Sequence, residues 1–280
     1  MQKIIIDGIC YTKPTVSLLA QTGIGVSEVA ARTCYDSFEN SENETIQKFS
    51  EHLPDEAMKQ ELYELEDSSL LEDLAWTYFH HSILEHTNLS YLIKGTSRGV
   101  LQEHARHRLQ AISVRSTRYT MSGIINAFVA SLQAADPKQF FIKKIIGFDM
   151  FVICDEEYNK LEASSMFDRL YYQKEKMDDF YQKAVAKSSL EFVKKYENEP
   201  EKLFEALQNG KKKRNVGDAF KHIVTDNWKV DMVVTFNLRS LKNYFQLRDS
   251  GAAYFGIRWL AQEMKKATPK KYLDLIIKDK

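Results

Sequence analysis

The sequence predicts an α+β protein in which an antiparallel or mixed sheet packs against long helices. Three short apolar runs, residues 3–9, 89–94 and 232–236, are typical of buried strands. Longer stretches between them carry apolar residues at helical spacing, and the region 156–207 contains no glycine. A chain of 280 residues can bury a substantial core, and we expect residues 1–280 to form a single large domain.

The N-terminal part of the chain alternates between these patterns. After the strand at 3–9, a helix over 27–35 is expected to begin at Ser27, because serine is a favourable N-cap. Residues 36–69 are acidic and polar, which favours loops and a solvated helix. Apolar residues then recur at helical spacing over 70–79.

Two further strand and helix pairs follow along the chain. The strand 89–94 is expected to end at Gly95, and a helix over 97–105 follows it. The strand 232–236 leads into a segment with a partly apolar helical face, formed by Leu241, Phe245 and Leu247.

Bulk composition narrows the class of protein. The 39 basic and 39 acidic residues give a formal net charge of zero, without the long-range field of a protein that coats nucleic acid. No apolar run is long enough to span a bilayer, and the N-terminus lacks a signal-peptide pattern, so we expect a cytoplasmic protein without a membrane partner. Cys10, Cys34 and Cys154 are isolated in the sequence, which favours reduced thiols over a disulfide or zinc framework.

The most unusual stretch is 102–120, which gathers four arginines, two histidines and two serines around few apolar residues. Glu103 is its only acidic residue, so local pairing cannot neutralise the arginines. Because an unpaired guanidinium is costly to bury, the cluster forms either a solvated helix face or an anion site. The interleaved hydroxyls favour a phosphate site, where they donate to the oxygen lone pairs that the guanidinium forks leave over.

Residues 80–86, His-His-Ser-Ile-Leu-Glu-His, form a second polar concentration. His81 and Glu85 would share a helix face, which is compatible with zinc, but no third ligand has a recognisable spacing. A structural role, with histidines bonding the backbone, is the other interpretation that the residues alone allow. A third polar stretch, 231–248, contains Arg239 and Asn243 four residues apart, so both would point the same way from a helix.

These stretches contain three motifs in a fixed order. They are His-x-Ser-x-x-Glu-His over 80–86, Arg-His-Arg over 106–108 followed after seven residues by Ser-Thr-Arg-Tyr, and Asn-x-Arg-Ser-Leu-x-Asn-Tyr-x-x-Leu-Arg over 237–248. In this combination the chain resembles the flavin-dependent thymidylate synthase family, whose fold is the α+β type predicted above. The resemblance covers roughly residues 70–120 and 215–265, and segments 36–69 and 121–214 are expected to be family-variable.

The resemblance implies a site for two ligands. FAD would be bound by His80, Ser82, Glu85, Arg106, His107, Arg108, Asn237, Arg239 and Asn243. Deoxyuridine monophosphate (dUMP) would be bound by Gln102, Glu103, Ser116, Thr117, Arg118, Lys221 and Arg248, with Ser116 and Arg118 near its phosphate. Arg248, at the uracil ring, and Ser116 would be the catalytic residues, and no metal is implied.

The implied reaction is the reductive methylation of dUMP to dTMP. Methylenetetrahydrofolate would supply the one-carbon unit, NADPH would reduce FAD, and the flavin would return a hydride to the nucleotide. A guanidinium against the uracil carbonyl edge would stabilise negative charge as C5 becomes nucleophilic, so no protein nucleophile is needed. Members of the family are homotetramers with shared active sites, which this chain is expected to form as well.

Four positions depart from the family pattern. Lys221 stands where many members have a second phosphate-binding arginine, Ser113-Val114 where Asn-Glu is common, Ala252 where some have histidine, and Glu103 where glutamine is common. Three of them lie on the nucleotide side, so a flavin enzyme for another pyrimidine nucleotide stays an alternative. A non-catalytic nucleotide- or RNA-binding protein is the rival from another class. The basic run 209–214 lacks interleaved aromatic residues and is more typical of a solvated loop.

Overall fold

The fold is known from a computed structural model that describes residues 2–175 and 221–278. Its strands are β1 (Lys3–Ile6), β2 (Ile9–Thr12), β3 (Thr15–Gln21), β4 (Asn88–Ser97), β5 (Gln110–Val114) and β6 (Lys229–Asn237). Strands β1 and β2 form a hairpin, and the other four form one sheet in the order β3-β4-β6-β5. Every pairing between these strands is antiparallel, which makes the sheet antiparallel throughout the part of the chain described.

Helices surround this sheet, and they are numbered here along the described residues. They are α1 (Ile24–Tyr35), α2 (Glu44–Gln47), α3 (Glu56–Glu64), α4 (Ser69–Trp76), α5 (Arg98–His104), α6 (Thr117–Thr120), α7 (Ser122–Ser131), α8 (Pro137–Gly147), α9 (Glu156–Glu175), α10 (Leu238–Arg248), α11 (Phe255–Ala267) and α12 (Lys270–Ile276). A 3₁₀ turn over His81–Glu85 joins α4 to β4. The predicted α+β fold class is therefore confirmed.

One face of the sheet forms the main core. Alternate residues of the central strands point to it and are almost fully buried; they are Leu89, Tyr91 and Ile93 of β4 and Met232, Val234 and Phe236 of β6. Helices α1, α4, α10, α11 and α12 cover this face with apolar side chains. Each large side chain buried in this way contributes about 2 kcal/mol, so the central strands are held firmly in register.

The opposite face of the sheet has no such cover within the described residues. The hydroxyls of Ser90 and Thr235 bond each other there over 2.7 Å. Leu19 of β3 and Val233 of β6 remain 55% and 37% exposed. Among the described residues, this mixed polar and apolar face of the sheet is therefore left uncovered.

A second core lies beside the sheet. Helices α7, α8 and α9 pack through the rings of Phe128, Phe141 and Phe167, whose centroids lie 5.6–6.4 Å apart. Trp228, just before β6, joins this cluster and connects it to the sheet. The region 156–207, whose pattern predicts helical structure, forms a helix from Glu156 to Glu175, and its remainder lies outside the described residues together with the basic run 209–214.

The expected single strand at 3–9 is wrong. Asp7 and Gly8 have φ of +51° and +80°, which turns the chain into the hairpin of β1 and β2. The hairpin is also less buried than expected, because Ile5 is 71% exposed. Cys10 of this hairpin and Cys154 are isolated in the sequence but adjacent in space, since Cys154 N–H donates to the Cys10 carbonyl over 2.7 Å.

Three element ends also differ from the sequence-based expectations. Helix α1 begins at Ile24 instead of Ser27, whose hydroxyl bonds Thr87 over 2.7 Å in the core. Gly95, with φ of +75°, forms an irregularity within β4 instead of ending it. Helix α4 ends at Trp76, so the apolar positions at 78 and 79 lie beyond it and are exposed. No helix in the described part of the chain is long and apolar enough to cross a membrane.

Candidate functional site

The Arg-His-Arg motif lies in the connection between α5 and β5. Ser97 caps α5 by accepting from the N–H of Val100, which fixes where the helix begins. The connection is held by Gln110, whose side-chain amide donates to the carbonyls of His104 and His107 over 3.0 and 2.7 Å. The motif is thus a constrained turn whose side chains lie beside helix α10.

Helix α10 brings the last motif to the same place. Asn237 caps it by accepting from the Ser240 N–H over 2.8 Å. Its apolar face is buried in the core through Leu238, Leu241, Tyr244 and Phe245. Its polar face lines a cleft with Arg239, Lys242, Asn243 and Gln246. Arg239 and Asn243 therefore do share a helix face, as their spacing predicted.

The cleft between these elements has a volume of about 1150 Å³. Among the described residues, its charged lining is entirely basic: Arg106, Arg108, Arg239, Lys242 and Arg248, with His81 and His107 beside them. Apolar contact surface comes from Leu109, Leu247, Ala252 and Ala253. A cleft with this lining suits a large anion that also carries a flat apolar part.

Arg248, the last residue of α10, is held by three hydrogen bonds. Its Nε donates to Nε2 of His107 over 2.9 Å, and its Nη1 donates to a carboxylate oxygen of Glu103 over 2.9 Å. Its Nη2 donates to the Glu103 carbonyl over 3.3 Å. A guanidinium has five N–H donors, so two are left for a ligand among the described residues.

Contacts between aromatic rings support this arrangement. The ring of Tyr244 meets those of His104 and His107 edge to face at 5.2 and 4.8 Å. Its hydroxyl lies 3.1 Å from Nδ1 of His104, which is fully buried. Burial lowers the pKa of His104 to about 4, with His107 adding to the effect, so this imidazole is neutral at pH 7. Burial, followed by the charge of Arg248, also lowers the pKa of His107.

The histidine-rich turn approaches the cleft from the other side. Glu85 forms an ion pair with Nη1 of Arg239, which ties the turn to α10. His81 lies within 3.1 Å of Lys242 Nζ, and that ammonium also sits 3.8 Å over the ring of Trp76. Burial lowers the pKa of Lys242.

A second, smaller cleft of about 650 Å³ adjoins the first, and Arg106 lines both. Its lining includes the aromatic residues Tyr11, Tyr158, Tyr254, Phe255 and Trp259. Its acidic groups are Glu103 and Asp226, and the latter accepts from the amide of Gln102 over 2.9 Å. Because Glu103 bonds Arg248, which lines the larger cleft, their ion pair lies between the two cavities.

The structure brings together about half of the residues that the sequence singled out. Arg106, His107, Arg108, Arg239, Asn243 and Arg248 line the larger cleft, and Gln102 and Glu103 line the smaller one. His80 and Ser82 are exposed and line neither cleft, and His80 Nδ1 instead lies 3.0 Å from the hydroxyl of Tyr35. Glu85 reaches the larger cleft through Arg239, and Asn237 acts there as the N-cap of α10.

The remaining nucleotide residues lie elsewhere in the chain. Ser116 and Thr117 begin helix α6, at the far end of β5, and neither lines a cleft. A strand of the length of β5 separates them from the Arg-His-Arg motif by about 17 Å. Lys221 is exposed in a 3₁₀ turn at the start of the second described range. The side chain of Arg118 lies outside the described part of the structure.

Sequence reasoning missed several residues of the two clefts. Lys242 and Gln246 follow Arg239 and Asn243 by three residues each, so the polar helix face of α10 could have identified them. The aromatic wall of the smaller cleft had no local pattern, because Tyr11 and Tyr158 come from segments far apart in the sequence.

The chain is similar to known proteins over most of its length. The family model described as thymidylate synthase complementing protein matches residues 17–272 of the chain. The chain is similar to the flavin-dependent thymidylate synthase of Campylobacter jejuni (strain RM1221), with 26% identity over 92% of the chain and 93% of the relative. The relative of the same name from Wolinella succinogenes is 26% identical over 92% of the chain and 95% of its own length.

A solved structure shows the same fold. Thymidylate synthase X from Helicobacter pylori, determined with FAD and dUMP, superposes with a TM-score of 0.56 over 94% of this chain and 97% of that one, at 23% identity. The predicted fold type is therefore confirmed. The match of the family model includes both segments, 36–69 and 121–214, that the motifs left out.

Proposed function

The chain belongs to the thymidylate synthase complementing protein family, and on this basis we propose that it converts dUMP to dTMP with FAD as its redox cofactor. Methylenetetrahydrofolate is the proposed one-carbon donor and NADPH the proposed reductant. The Campylobacter and Wolinella relatives carry the name flavin-dependent thymidylate synthase, and the Helicobacter structure was determined with FAD and dUMP, which supports both ligands.

The observation that carries the proposal is the lining of the larger cleft. Two separate motifs, 106–108 and 237–248, converge on it, and the charged side chains that line it in the described part of the chain are all basic. A dinucleotide such as FAD needs cationic forks for its pyrophosphate and apolar contacts for its flat rings. The hydroxyl of Ser240, which lines the cleft, is buried without a partner in the described part of the chain, so a ligand or water suits it. The residues present thus fit FAD.

The smaller cleft is the proposed place of the pyrimidine ring. Its aromatic lining suits a flat base, and Arg106 and the Glu103–Arg248 pair stand at its boundary with the larger cleft. The two N–H groups of Arg248 that are left over would donate to a uracil carbonyl and stabilise negative charge as C5 attacks the one-carbon unit. The redox chemistry is supplied by FAD when it is bound in the larger cleft.

We also propose that the active site is completed by a second copy of the chain, in a homotetramer. Ser116–Arg118, the proposed phosphate residues, lie about 17 Å along β5 from the turn that borders both clefts, and Ser116 and Thr117 line neither cleft of their own chain. His80 and Ser82 are likewise outside both clefts of their own chain. The sheet face that no described residue covers offers a surface through which copies can associate, with Leu19 55% exposed.

A second candidate keeps the flavin but acts on deoxycytidylate. The observation that favours it is the presence of two carboxylates, Glu103 and Asp226, along the smaller cleft. Carboxylates accept hydrogen bonds, and the exocyclic amino group of cytosine donates them, whereas the corresponding position of uracil is a carbonyl.

The decisive experiment measures flavin binding and tritium release on the same protein preparation. The purified protein should show flavin absorbance, alone or after addition of FAD, and release tritium from [5-³H]dUMP when methylenetetrahydrofolate and NADPH are added. Release from [5-³H]dCMP alone would support the second candidate instead. Protein that binds no FAD contradicts both. Complementation of a thymidine-requiring strain tests substrate, reaction and cofactor together.

A further inference from the structure

We propose that Glu103 is a positioning residue, which acts on the reaction by holding the guanidinium of Arg248 in place. Sequence resemblance assigned Glu103 to the nucleotide itself, at a position where the family commonly has glutamine. In the structure its carboxylate accepts from Nη1 of Arg248 over 2.9 Å, and its carbonyl accepts from Nη2 over 3.3 Å. The inference rests on the proposed function, in which Arg248 contacts the uracil ring.

Three contacts on two elements define the plane of the guanidinium. Glu103 belongs to α5, and His107, which accepts from Nε over 2.9 Å, belongs to the turn after it. With the chain anchored at Arg248 Cα on α10, the fork cannot rotate without losing at least one of these bonds. The pair is also largely shielded, since the side chains of Arg248 and Glu103 are 19% and 34% exposed.

The charge of Glu103 matters as well as its geometry. Arg248 lines a cleft in which Arg106 and Arg108 also lie, and like charges at close range repel each other. Among the acidic residues of the described chain, Glu103 is the one that pairs directly with Arg248. A carboxylate here holds Arg248 against α5, whereas a glutamine would provide the acceptor without the charge.

The position of the pair gives this contact a consequence for catalysis. Glu103 lines the smaller cleft and Arg248 the larger one, so the pair stands where the base and the flavin ring would meet. A displaced guanidinium would still attract the nucleotide but would stabilise the transition state less well. We therefore expect loss of Glu103 to lower kcat more than it raises KM.

A double-mutant cycle between Glu103 and Arg248 tests the proposal. We expect Glu103→Ala to lower kcat for dUMP about tenfold or more, while KM changes by about threefold or less. In an Arg248→Ala background, Glu103→Ala should change kcat by less than about twofold, because the group that it holds is gone. Glu103→Gln should recover part of the loss. If the two single effects multiply, Glu103 acts on the ligand directly and the proposal is wrong.

Two further measurements distinguish a failure of the positioning role from a failure of the proposed function. The same cycle is run on equilibrium binding of dUMP to the FAD-loaded protein, where the positioning role predicts a small coupling: Glu103→Ala changes the Kd by about threefold or less in the native background, and by less in the Arg248→Ala background. Binding of dUMP with coupling but without turnover contradicts the proposed function and leaves the positioning role supported, whereas no binding by the native protein contradicts both. Glu263→Ala is the matched control, because Glu263 pairs with Lys13 and Lys266 outside both clefts and should leave kcat unchanged within about twofold.

Discussion

The Nε of Arg248 donates to Nε2 of His107 over 2.9 Å, so the imidazole must be unprotonated at that nitrogen for the arginine to keep its place. Burial first, and the charge of Arg248 second, lower the pKa of His107 and favour this neutral form. Besides Arg248, the groups packed against the ring are Tyr244 from α10 and His104 from α5.

This contact predicts a step on the acid side of the activity profile. As pH falls below the lowered pKa of His107, its protonation removes the acceptor and places a positive charge beside Arg248. We expect kcat/KM to fall on an acid limb whose midpoint lies below about 6.5, the ordinary value for histidine. His107→Gln keeps an acceptor but cannot be protonated, so this limb should disappear at saturating FAD. An unchanged acid limb in that variant would assign it to another group.

His104 predicts a separate effect of pH on stability. Its pKa is lowered to about 4 by burial, with smaller contributions from His107 and Arg248, whereas in the unfolded chain it is near the ordinary value of about 6.5. Between these two values the unfolded state binds more protons, so the free energy of unfolding decreases as pH falls from 6.5 toward 4. The resulting loss in the free energy of unfolding from this one residue reaches the order of 3 kcal/mol near pH 4, and it is absent above pH 6.5.

Urea unfolding at pH 4.5 and 7.5 measures that effect. The native protein should lose more stability between the two pH values than His104→Asn does, even if the variant is less stable at both. His52→Asn is the control, because His52 lies on the surface, with its side chain 68% exposed. An equal pH dependence in the native protein and in the His104 variant contradicts the prediction.

The ion pair between Arg239 and Glu85 predicts that Arg239 contributes to FAD binding. Arg239 is exposed toward the larger cleft, and Glu85 fixes its direction from the histidine-rich turn. We expect Arg239→Ala to weaken FAD binding about tenfold or more, since a charge-assisted bond to a phosphate is worth roughly 1.5–3 kcal/mol. Titration of the apoprotein with FAD, followed by absorbance, measures it. Arg169→Ala removes an exposed arginine of α9 outside both clefts and should leave the affinity unchanged.

Local spacing was sufficient to predict part of this site. Arg239 and Asn243 were expected on one helix face, and they line one cleft because four residues make about one helical turn. The helix over 97–105 was also expected, and α5 spans Arg98–His104 with Ser97 as its N-cap. Both inferences depend on interactions within a few residues.

Contacts between distant segments were not predictable in the same way. Glu103 and Arg248 are separated by 145 residues, and they meet because β5 and β6 pair antiparallel in a fixed register. That register depends on which apolar residues the whole core buries, which no local pattern contains. For the same reason Ser116, only eight residues from Arg108 in the sequence, is carried to the other end of the strand.

Close packing of α1 against α3 predicts a glycine that cannot be replaced. A Cβ added at Gly25 would lie 2.7 Å from the carbonyl oxygen and 2.9 Å from the Cα of Leu62, and these are backbone atoms that cannot rotate away. Gly25→Ala must therefore push the two helices apart, and we expect it to lower the free energy of unfolding by about 2 kcal/mol. Gly147→Ala, at the end of α8, meets no atom within 4 Å and should leave the urea midpoint unchanged or raise it. Equal midpoints for both variants would show that α1 and α3 can separate without cost, and the tight contact would then not limit the choice of residue at position 25.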